Sequence, residues 1–342
     1  MTDLRAAVVV VNWNGADVLG PCLASLADAV AHGAEVVVVD NASTDGSPDL
    51  VADVLPAAML VRRDRNDGFA AGVNAGVAAT SADVLLLLNN DAVASPGWVA
   101  AMVAPFARDE AGDLGAVTGR VLLADPLAPA PPGVPPGTAL RDHAGRAWVR
   151  VAADAPGARR MVNSTGNEVT RSGNGRDRGW LTPADGPPAD REVFGFNGGS
   201  AALRRAALDD VGGMDESLFM YYEDTDTSWR LRRHGWRVEH APDAVTQHRH
   251  AASSGTASEF FAVHNVRNRL VVALRHAPWS VVARAYVRTA ARVALGPHRG
   301  WWLRALGGAL RRGPADLRTR RAVDRTATVR RADVARLLVA DG

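Results

Sequence analysis

The sequence predicts an α/β fold with a mostly parallel central sheet flanked by helices. Three short runs rich in Val and Leu support it, namely Ala6–Val11, Glu35–Val39 and Val84–Leu88. Each run is too short to span a membrane and is typical of a strand buried on both faces. Stretches with apolar residues at helical spacing lie between the runs, and strands that alternate with helices form parallel sheets through crossover connections.

Composition narrows the class of protein. At 342 residues, with 47% hydrophobic and 22% charged content, the chain has the make-up of a globular protein with a sizeable core. Its single cysteine, Cys22, excludes an intramolecular disulfide framework and a cysteine-based zinc site. No basic-then-apolar leader precedes the first strand, and no apolar run approaches the roughly 18–20 residues that cross a bilayer. We therefore expect a cytoplasmic protein, peripheral on the inner face of the plasma membrane if its C-terminal part binds lipid.

The net charge of +2 conceals two oppositely charged parts. Residues 1–266 carry 22 Arg and 33 acids, whereas residues 267–342 carry 17 Arg and 4 Asp. The basic part is predicted to be helical, with Arg284, Arg288 and Arg292 on one face. Such an Arg-rich amphipathic helix either contacts an anionic membrane surface or forms the solvated face of helices that cover the rest of the chain. Because no nucleic-acid-binding motif accompanies the charge, we expect no nucleic-acid partner.

Polar and acidic side chains follow the predicted strands where the strands end. Asn12 and Asn14 follow the first strand, Asp40 closes the second, and Asn89-Asn90-Asp91 follows the third apolar run. The carboxyl ends of parallel strands meet at a crevice where open α/β sheets bind ligands. A carboxylate there can hold a hard cation, and the cation can hold a diphosphate. Because no G-x-G-x-x-G follows the first strand, the pattern indicates a nucleotide-diphosphate site and argues against a dehydrogenase.

The second half of the chain is less regular. Asp125–Gly137 is rich in proline, so we expect a surface loop without regular structure there. Residues 138–193 are polar and Gly-rich, with weak periodicity. A helix is predicted over Arg204–Val211 and a strand over Val238–Val245.

An acidic cluster and a pair of histidines are the candidate reactive groups of this half. Glu223, Asp224 and Asp226 open a predicted helix, and His248 and His250 follow the last predicted strand. Carboxylates in a first helical turn also complement the helix dipole, and histidines after a strand are usually surface residues. By themselves, these residues leave a structural and a catalytic interpretation open.

Eight segments carry a resemblance to a known family. They are, in order, 9–15 (VVVNWNG), 38–47 (VVDNASTDGS), 66–76 (NDGFAAGVNAG), 85–91 (LLLLNND), 196–205 (FNGGSAALRR), 212–216 (GGMDE), 219–226 (FMYYEDTD) and 229–231 (WRL). Together they resemble a family 2 glycosyltransferase of the GT-A fold, close to the bacterial rhamnosyltransferase-like branch. The resemblance covers roughly residues 5–275 in unbroken order, and the ordered set is far more specific than any single segment.

The resemblance implies a division of the chain. Residues 1–265 would form the GT-A domain, with a nucleotide-sugar-binding half at 1–123 and an acceptor-binding half at 124–265. The acceptor half would contain an inserted loop at 124–193. Residues 266–342 would form a basic helical C-terminal extension.

The resemblance also implies roles for individual residues on the donor side. Asp40 would accept a hydrogen bond from the pyrimidine of the donor nucleotide. Asn89-Asn90-Asp91 stands where the family has its D-x-D motif, and only the last acid is present, so Asp91 would bear Mg²⁺ or Mn²⁺. His248 matches a position that completes the metal site in relatives, and His250 competes for that assignment. The other implied donor-nucleotide-binding residues are Asn12, Asn14, Asn66, Asn74, Asn89 and Asn90.

On the acceptor side, the resemblance makes Asp224 the catalytic base. Glu223 and Asp226 would orient that base or bind acceptor hydroxyls, and Gly198 and Gly199 would support the same side of the site. An inverting transfer needs one base for the acceptor's proton and a cation that neutralises the departing nucleoside diphosphate.

The expected function is therefore that of an inverting glycosyltransferase. Its expected donor is dTDP-L-rhamnose, and its expected acceptor is a hydroxyl of a cell-envelope glycan or a polyprenyl-linked glycan. A UDP-galactofuranose or other UDP-sugar transferase would share these motifs. A non-catalytic sugar-nucleotide- or glycan-binding protein is the alternative from a different class, and the incomplete D-x-D motif favours it.

Overall fold

The computed structural model describes residues 4–135, 137–187, 189–249 and 258–341. In the first third, strands and helices alternate as predicted. The elements are β1 (Ala6–Asn12), α1 (Ala16–Ser25), α2 (Ala27–Ala31), β2 (Glu35–Asp40), α3 (Leu50–Val54), β3 (Met59–Arg62), α4 (Phe69–Ala78), β4 (Val84–Leu88), β5 (Ala92–Ala94), α5 (Trp98–Ala107) and β6 (Leu114–Leu123).

The remainder begins with short strands and ends in helices. The short strands are β7 (Leu127–Pro129), β8 (Leu140–Arg141), β9 (Ala147–Arg150), β10 (Val162–Ser164), β11 (Asn167–Val169) and β12 (Gly175–Asp177). They are followed by β13 (Ser200–Arg204), α6 (Arg205–Asp210), α7 (Glu223–Arg233), β14 (Arg237–His248), α8 (Glu259–His276), α9 (Trp279–Leu295), α10 (Arg299–Thr326) and α11 (Arg331–Val334).

The predicted mostly parallel central sheet is confirmed, with antiparallel additions. Its strand order is β3-β2-β1-β4-β13-β6-β14-β5, with β10 paired to β6. Strands β1 to β4 are mutually parallel, and β14 runs parallel to β6. Strand β13 is antiparallel to both of its neighbours, β4 and β6. Neither β13 nor β5 was predicted, since each is too short to show a periodic pattern.

Strand β4 is the apolar centre of the sheet, as its sequence predicts. Its five residues are all buried, and they alternate between two hydrophobic clusters. Leu86 and Leu88 pack with Leu19 of α1 on one face, whereas Leu85 and Leu87 pack with α4 on the other. The alternation follows from the two-residue period of a strand. Burial on both faces therefore explains why the run contains no polar residue.

Two glycines let α4 lie directly on the sheet. A Cβ at Gly72 would be 2.5 Å from Val11, and one at Gly76 would be 2.4 Å from Val9. Both separations are shorter than any real carbon–carbon contact, so α4 can approach β1 this closely only with glycine at these positions. The close approach brings the first turn of α4 to the carboxyl end of β1.

The expectation that Asp125–Gly137 contains no regular element is wrong. Residues Leu127–Pro129 form β7, which pairs antiparallel with Ala147–Arg150 in a small sheet completed by β8. Proline lacks the N–H that a central strand would need for pairing, so it is tolerated on the unpaired side of an edge strand. Pro129 lies at the end of the edge strand β7. The polar segment 138–193 likewise contains β10 to β12, which fold against β6 and against each other.

The C-terminal extension (residues 266–342, the tail) forms a second hydrophobic core with residues of the preceding segment 124–265. Leu270, Val271 and Ala285 of the tail pack in one cluster with Phe194 and Trp229. The expected domain boundary at residue 265 falls inside the continuous helix α8, so the tail is joined to the preceding part without a linker. No helix in the described parts of the chain is long and apolar enough to cross a membrane.

Candidate active site

The carboxyl ends of β1, β2 and β4 meet, and Asn12 joins them. Its Nδ2 donates to the hydroxyl of Ser47 at 2.8 Å and to Asp40 at 3.3 Å. Its Oδ1 accepts from Nδ2 of Asn90 at 2.9 Å. Asn12 is fully buried and its polar atoms are used inside the protein. Asn12 thus positions Asp40 and Asn90, and its expected contact with the donor nucleotide stays a prediction.

The loop after β2 closes over the end of β1. Asp40 is buried, and its Oδ2 accepts from the backbone N–H of Ser43 at 3.1 Å. Asn14 is exposed, adopts φ 48°, and accepts from the N–H of Thr44 at 2.8 Å through Oδ1. These loops thus present a preformed polar wall at the edge where a nucleotide base was expected.

The two asparagines of segment 66–76 have different surroundings. Asn66 lies beside the cleft, where its Oδ1 accepts from the N–H of Gly68 at 2.9 Å and shapes the turn into α4. Asn74 is tied to another loop, since its Nδ2 donates to the carbonyl of Met214 and to Glu216, both at 2.9 Å. These bonds let Asn74 join α4 to the loop that contains Met214, and its expected donor contact stays a prediction.

Asp91 and His248 lie together at the sheet edge, although 157 positions separate them in the sequence. Nε2 of His248 is 3.0 Å from Oδ1 of Asp91. On the other side of the ring, Nδ1 lies 2.7 Å from Oδ1 of Asn163 and donates to it. An imidazole oriented in this way is the usual arrangement of a metal-binding histidine.

The Asp91–His248 pair is not a complete metal site by itself. Among the described residues, no third His, Cys, Asp or Glu joins the pair to form a metal-binding cluster. A carboxylate oxygen and an imidazole nitrogen at this distance need a proton or a cation between them, because both accept hydrogen bonds. The competing candidate, His250, lies outside the described residues.

Asn89 and the following glycine turn connect the end of β4 to the acceptor side. The N–H of Asn89 donates to the carbonyl of Gly199 at 3.1 Å. A Cβ at Gly199 would lie 3.1 Å from Nδ2 of Asn89 and 3.0 Å from Oδ1 of Asn197, so the turn is tightly packed. Gly198 has more room, and its N–H donates to Oδ2 of Asp224 at 3.1 Å.

Asp224, the expected base, is partly accessible at the start of α7. Its Oδ1 accepts from the backbone N–H of Thr225 at 2.6 Å, and its Oδ2 accepts from Gly198. Burial raises the pKa of Asp224 above its ordinary value, although these hydrogen bonds oppose the shift. Within the described residues no cation pairs with this carboxylate, so the carboxylate is available to take a proton.

Glu223 and Asp226 flank the base but differ from each other. Glu223 is buried, and burial, followed by the charge of Asp224, raises its pKa to about 8. Asp226 accepts from Arg230 at 2.8 Å and from Nε2 of His276 at 2.7 Å. Both oxygens of Asp226 are therefore engaged inside the protein, and its expected role, orienting the base or binding acceptor hydroxyls, stays a prediction.

The turn that delivers Asp224 has an unusual backbone. Phe219, Tyr221 and Tyr222 all have φ between 67° and 71°, a conformation that costs non-glycine residues roughly 1–2 kcal/mol each. Asn268 of α8 stabilises the turn, because its Nδ2 donates to the carbonyls of Leu218, Met220 and Tyr221 at 2.8–3.0 Å. The helical tail thus shapes the turn that precedes the base.

The same turn also contacts the donor side. The N–H of Phe69 donates to the carbonyl of Phe219 at 2.8 Å. Gly68 has φ 92°, and a Cβ there would lie 2.0 Å from that carbonyl oxygen. Only glycine fits at this crossing, which holds the two halves of the cleft together.

Sequence reasoning missed one carboxylate of the cleft, Asp177 at the end of β12. Its Oδ1 accepts from Nδ2 of Asn197 at 2.8 Å. Burial raises the pKa of Asp177 to about 6, and the charge of Asp224 acts in the same direction. The missed Asn163 and Asp177 lie in a polar segment that has no periodicity, so no local signal could mark them.

A cavity of about 380 Å³ lies between the tail, the loop 212–216 and helices α4 and α7, and it is not the cleft just described. Its lining includes Asn74, Asp215, Arg230 and Arg275. Arg230 and Arg275 are already hydrogen-bonded to Asp226 and Asp215. The cavity contains neither Asp91 nor Asp224, so we place the active site in the cleft.

The sequence matches two models of one glycosyltransferase family. Residues 7–125 match "Glycosyl transferase family 2", and residues 186–273 match "Glycosyltransferase like family 2". The chain is 28% identical over 302 residues to an N-acetylglucosaminyl-diphospho-decaprenol L-rhamnosyltransferase of Mycobacterium tuberculosis, covering 82% of this chain and 87% of that protein. The same match is found in two strains, CDC 1551 and H37Rv.

Solved structures place the fold among GT-A glycosyltransferases. A mannosyltransferase from Pyrobaculum calidifontis, in complex with GDP-Man and Mn²⁺, superposes with a TM-score of 0.52 at 19% identity, over 95% of this chain and 86% of that one. GalNAc-T7 with UDP, GalNAc and Mn²⁺ superposes with a TM-score of 0.58 at 14% identity, over 92% of this chain and 57% of that one.

The fold is that of GT-A enzymes, and the sequence matches make the chain a glycosyltransferase that acts on a nucleotide sugar. The chain belongs to glycosyltransferase family 2, in its rhamnosyltransferase-like branch.

Proposed function

We propose that this chain is an inverting glycosyltransferase that moves L-rhamnose from dTDP-L-rhamnose to a hydroxyl of a polyprenyl-diphosphate-linked glycan. The observation that carries inversion is the carboxylate of Asp224, which is partly accessible at the start of α7 and has no ion pair among the described residues. The Mycobacterium tuberculosis relative, whose name gives an L-rhamnosyl transfer to N-acetylglucosaminyl-diphospho-decaprenol, supports the sugar and the acceptor class.

The proposed reaction is a single displacement. The oxygen of the acceptor hydroxyl attacks the anomeric carbon as the bond from that carbon to the β-phosphate oxygen breaks. The nucleoside diphosphate leaves with the electron pair of that bond, and Asp224 takes the hydroxyl proton. Hydrogen bonds from Gly198 and Thr225 hold the carboxylate of Asp224 in one orientation, and its raised pKa makes it a stronger base.

Asp91 and His248 are the residues that we propose hold Mg²⁺ or Mn²⁺. The donor set suits such an ion, because carboxylate oxygen and imidazole nitrogen both bind Mn²⁺ and the Nδ1 bond to Asn163 turns Nε2 towards Asp91. A bound divalent cation would offset the charge that develops on the departing diphosphate. The two solved relatives are described as Mn²⁺ complexes, which supports the same assignment.

On the donor side, we propose that Asp40 and Asn14 contact the nucleotide base. Asn89 lies between the donor end of β4 and the glycine turn of the acceptor side, which suits a contact with the ribose or the transferred sugar. Because asparagine stands at the first D-x-D position, Asp91 is the one acid of that motif.

We further propose that the chain works on an anionic membrane surface through its tail. Leu303, Leu310 and Leu317 recur every seven residues along α10, and their side chains are 59%, 59% and 36% exposed. Exposed Arg311 and Arg318 lie beside the last two of these leucines. An exposed apolar row flanked by arginines suits the interface of an anionic bilayer, where a polyprenyl acceptor would be anchored.

A donor screen tests the transferase proposal. Purified protein with Mg²⁺ or Mn²⁺ would be assayed for nucleoside diphosphate release from dTDP-L-rhamnose, UDP-galactofuranose, UDP-glucose and GDP-mannose, with an N-acetylglucosaminyl-diphospho-prenol as acceptor. We expect release only from dTDP-L-rhamnose and its loss with EDTA. Release from a UDP-sugar alone would replace rhamnose by that sugar, and metal-independent nucleotide binding without turnover would favour a binding protein.

Vesicle co-sedimentation tests the membrane proposal. Arg311→Glu and Arg318→Glu should each weaken binding to phosphatidylglycerol-containing vesicles at least roughly fivefold, since loss of one basic side chain costs about 1 kcal/mol near an anionic surface and the new carboxylate is repelled in addition. Arg108→Glu, an exposed residue after α5, is the charge-matched control and should bind like the wild type. Equal binding of all three variants and of the wild type would refute the assignment of this face.

A further inference from the structure

The inserted segment 124–193 adds the carboxylate of Asp177 to those of Asp91 and Asp224 in the cleft. Strands β11 and β12 form an antiparallel hairpin in which Asn167 pairs with Asp177. The hairpin is attached to the segment before β13, because the N–H of Asn167 donates to the carbonyl of Gly195 at 2.8 Å. Asp177 therefore stands at the end of the hairpin, next to the glycine turn that holds the base.

One short turn holds both Asp177 and Asp224. Nδ2 of Asn197 donates to Asp177 at 2.8 Å, and the N–H of the next residue, Gly198, donates to Asp224 at 3.1 Å. The turn is itself fixed, since Oδ1 of Asn197 accepts from Gly199 at 2.9 Å. The two carboxylates are thus held by adjacent residues of one turn.

Asp177 also lies within electrostatic reach of the base. Burial raises the pKa of Asp177, and the charge of Asp224 adds to that increase. Nδ2 of Asn197 donates to its Oδ1. The two carboxylates therefore influence each other across the glycine turn.

The chemistry of Asp177 suits a neutral, hydroxyl-bearing ligand. Its side chain is partly accessible, and within the described residues it has no ion pair with an arginine. A carboxylate that is desolvated without a cation gains most from further hydrogen-bond donors. The donor diphosphate is an anion that a carboxylate repels, whereas a sugar offers several hydroxyl donors.

We propose that Asp177 binds a hydroxyl of the acceptor sugar and so determines which hydroxyl reaches Asp224. This inference rests on the proposed function, because it assumes that a glycan acceptor enters the cleft. Asp177 would act as an acceptor-binding residue, distinct from the base and from the cation ligands. A site of this kind lies on the insertion, outside both segments that match the family models.

The test compares Asp177→Asn with the wild type by two readouts. Asparagine keeps the shape and can still accept from Asn197, but it offers a neutral and weaker acceptor to the glycan. With an N-acetylglucosaminyl-diphospho-prenol as the varied substrate, we expect the acceptor KM to rise about tenfold, as for loss of a charged hydrogen bond. Nucleoside diphosphate release from the donor in the absence of acceptor should stay at the wild-type rate.

The control is Asp154→Asn, an exposed carboxylate on the same insertion, which should leave both readouts unchanged. An unaltered Tm of Asp177→Asn shows that the variant is folded, and Asp177→Glu provides a second variant that retains the charge. An unchanged acceptor KM, an equal loss of acceptor-free donor hydrolysis, or a weakened metal affinity would each overturn the proposal. Failure of the wild-type protein to transfer any sugar would instead refute the proposed function, which the acceptor-free reaction tests separately.

Discussion

Helix α7 carries two aspartates, two residues apart, whose environments differ completely. Asp224 faces the cleft, where its partners are the neutral N–H groups of Gly198 and Thr225. Asp226 contacts the tail core, where Arg230 and His276 bind it directly. The local sequence E-D-T-D does not distinguish the two aspartates, whereas the side chains around them in the structure do.

The pKa values of the two groups move in opposite directions for this reason. Burial raises the pKa of Asp224, because no cation among the described residues compensates for the lost hydration. Burial acts on Asp226 as well, but Arg230, His276 and Arg275 outweigh it and hold the pKa of Asp226 far below the ordinary range. Asp224 is thus buried without a compensating charge among the described residues, whereas Asp226 belongs to a buried ion-pair network.

The imidazole of His276 completes the structural side. Burial lowers the pKa of His276, against the opposing effect of Asp226, and its Nε2 donates to Oδ1 of Asp226. Its Nδ1 has no hydrogen-bond partner among the described residues, as expected for an imidazole without a proton there. A charged ring would leave a buried N–H unsatisfied at that position.

The largest predicted effect comes from removing the base. Asp224→Asn should lower kcat by roughly 10²–10⁴-fold, since a neutral amide cannot accept the proton. Donor affinity, measured by calorimetry with dTDP, should stay unchanged, and the Tm should be equal to or above that of the wild type because a desolvated charge is removed. A large loss of donor affinity would show that Asp224 serves the donor and is not the base.

Asp226→Ala should, in contrast, lower the stability of the protein more than its activity. Leaving Arg230 and Arg275 buried without this partner should lower the free energy of unfolding by about 3–5 kcal/mol, measured by urea denaturation. Activity of the fraction that remains folded should fall much less than in Asp224→Asn. Asp209→Ala, an exposed acid on α6, is the control and should change stability little. A catalytic loss without destabilisation would place Asp226 in the site after all.

Asn268→Asp tests whether the tail shapes the catalytic face. The substitution is isosteric but removes the N–H donors that bind three carbonyls, and leaving them unsatisfied should cost about 1–3 kcal/mol. Because the turn 219–222 then loses its support, kcat should fall while the donor Kd stays constant. A drop in stability with an unchanged kcat would mean that the turn keeps its form without Asn268.

The smallest effect is a difference in pH dependence. Protonation of Asp224 abolishes its function as a base, so kcat/KM should fall as the pH decreases through its raised pKa, above the ordinary value of 3.8. The stabilisation that Asp226 contributes is fully present above its ordinary value of 3.8 and is lost only below it, as the pH falls towards its depressed folded-state pKa. Activity should therefore decline before unfolding begins on acidification, as followed by rate assays and circular dichroism. Coincident transitions would contradict the opposed shifts.

Local sequence patterns predicted the parallel strands of the sheet and the polar residues at their carboxyl ends. The apolar runs define β1, β2 and β4, and the polar residues that follow them meet because parallel strands share an edge. The ordered motifs also identified the family and proposed Asp91, Asp224 and His248 as one site. These predictions depend on short-range patterns, which the sequence contains in full.

The tertiary structure alone decided what each of the remaining polar residues does. Asn74 and Asp226 lie inside family motifs, yet one joins two loops and the other belongs to a buried ion-pair network. Asp177 lies in a segment without any motif, and a hairpin brings it beside the base. Hydrogen-bond partners and burial depend on residues distant in the sequence, and these contacts determine whether a carboxylate is reactive or structural.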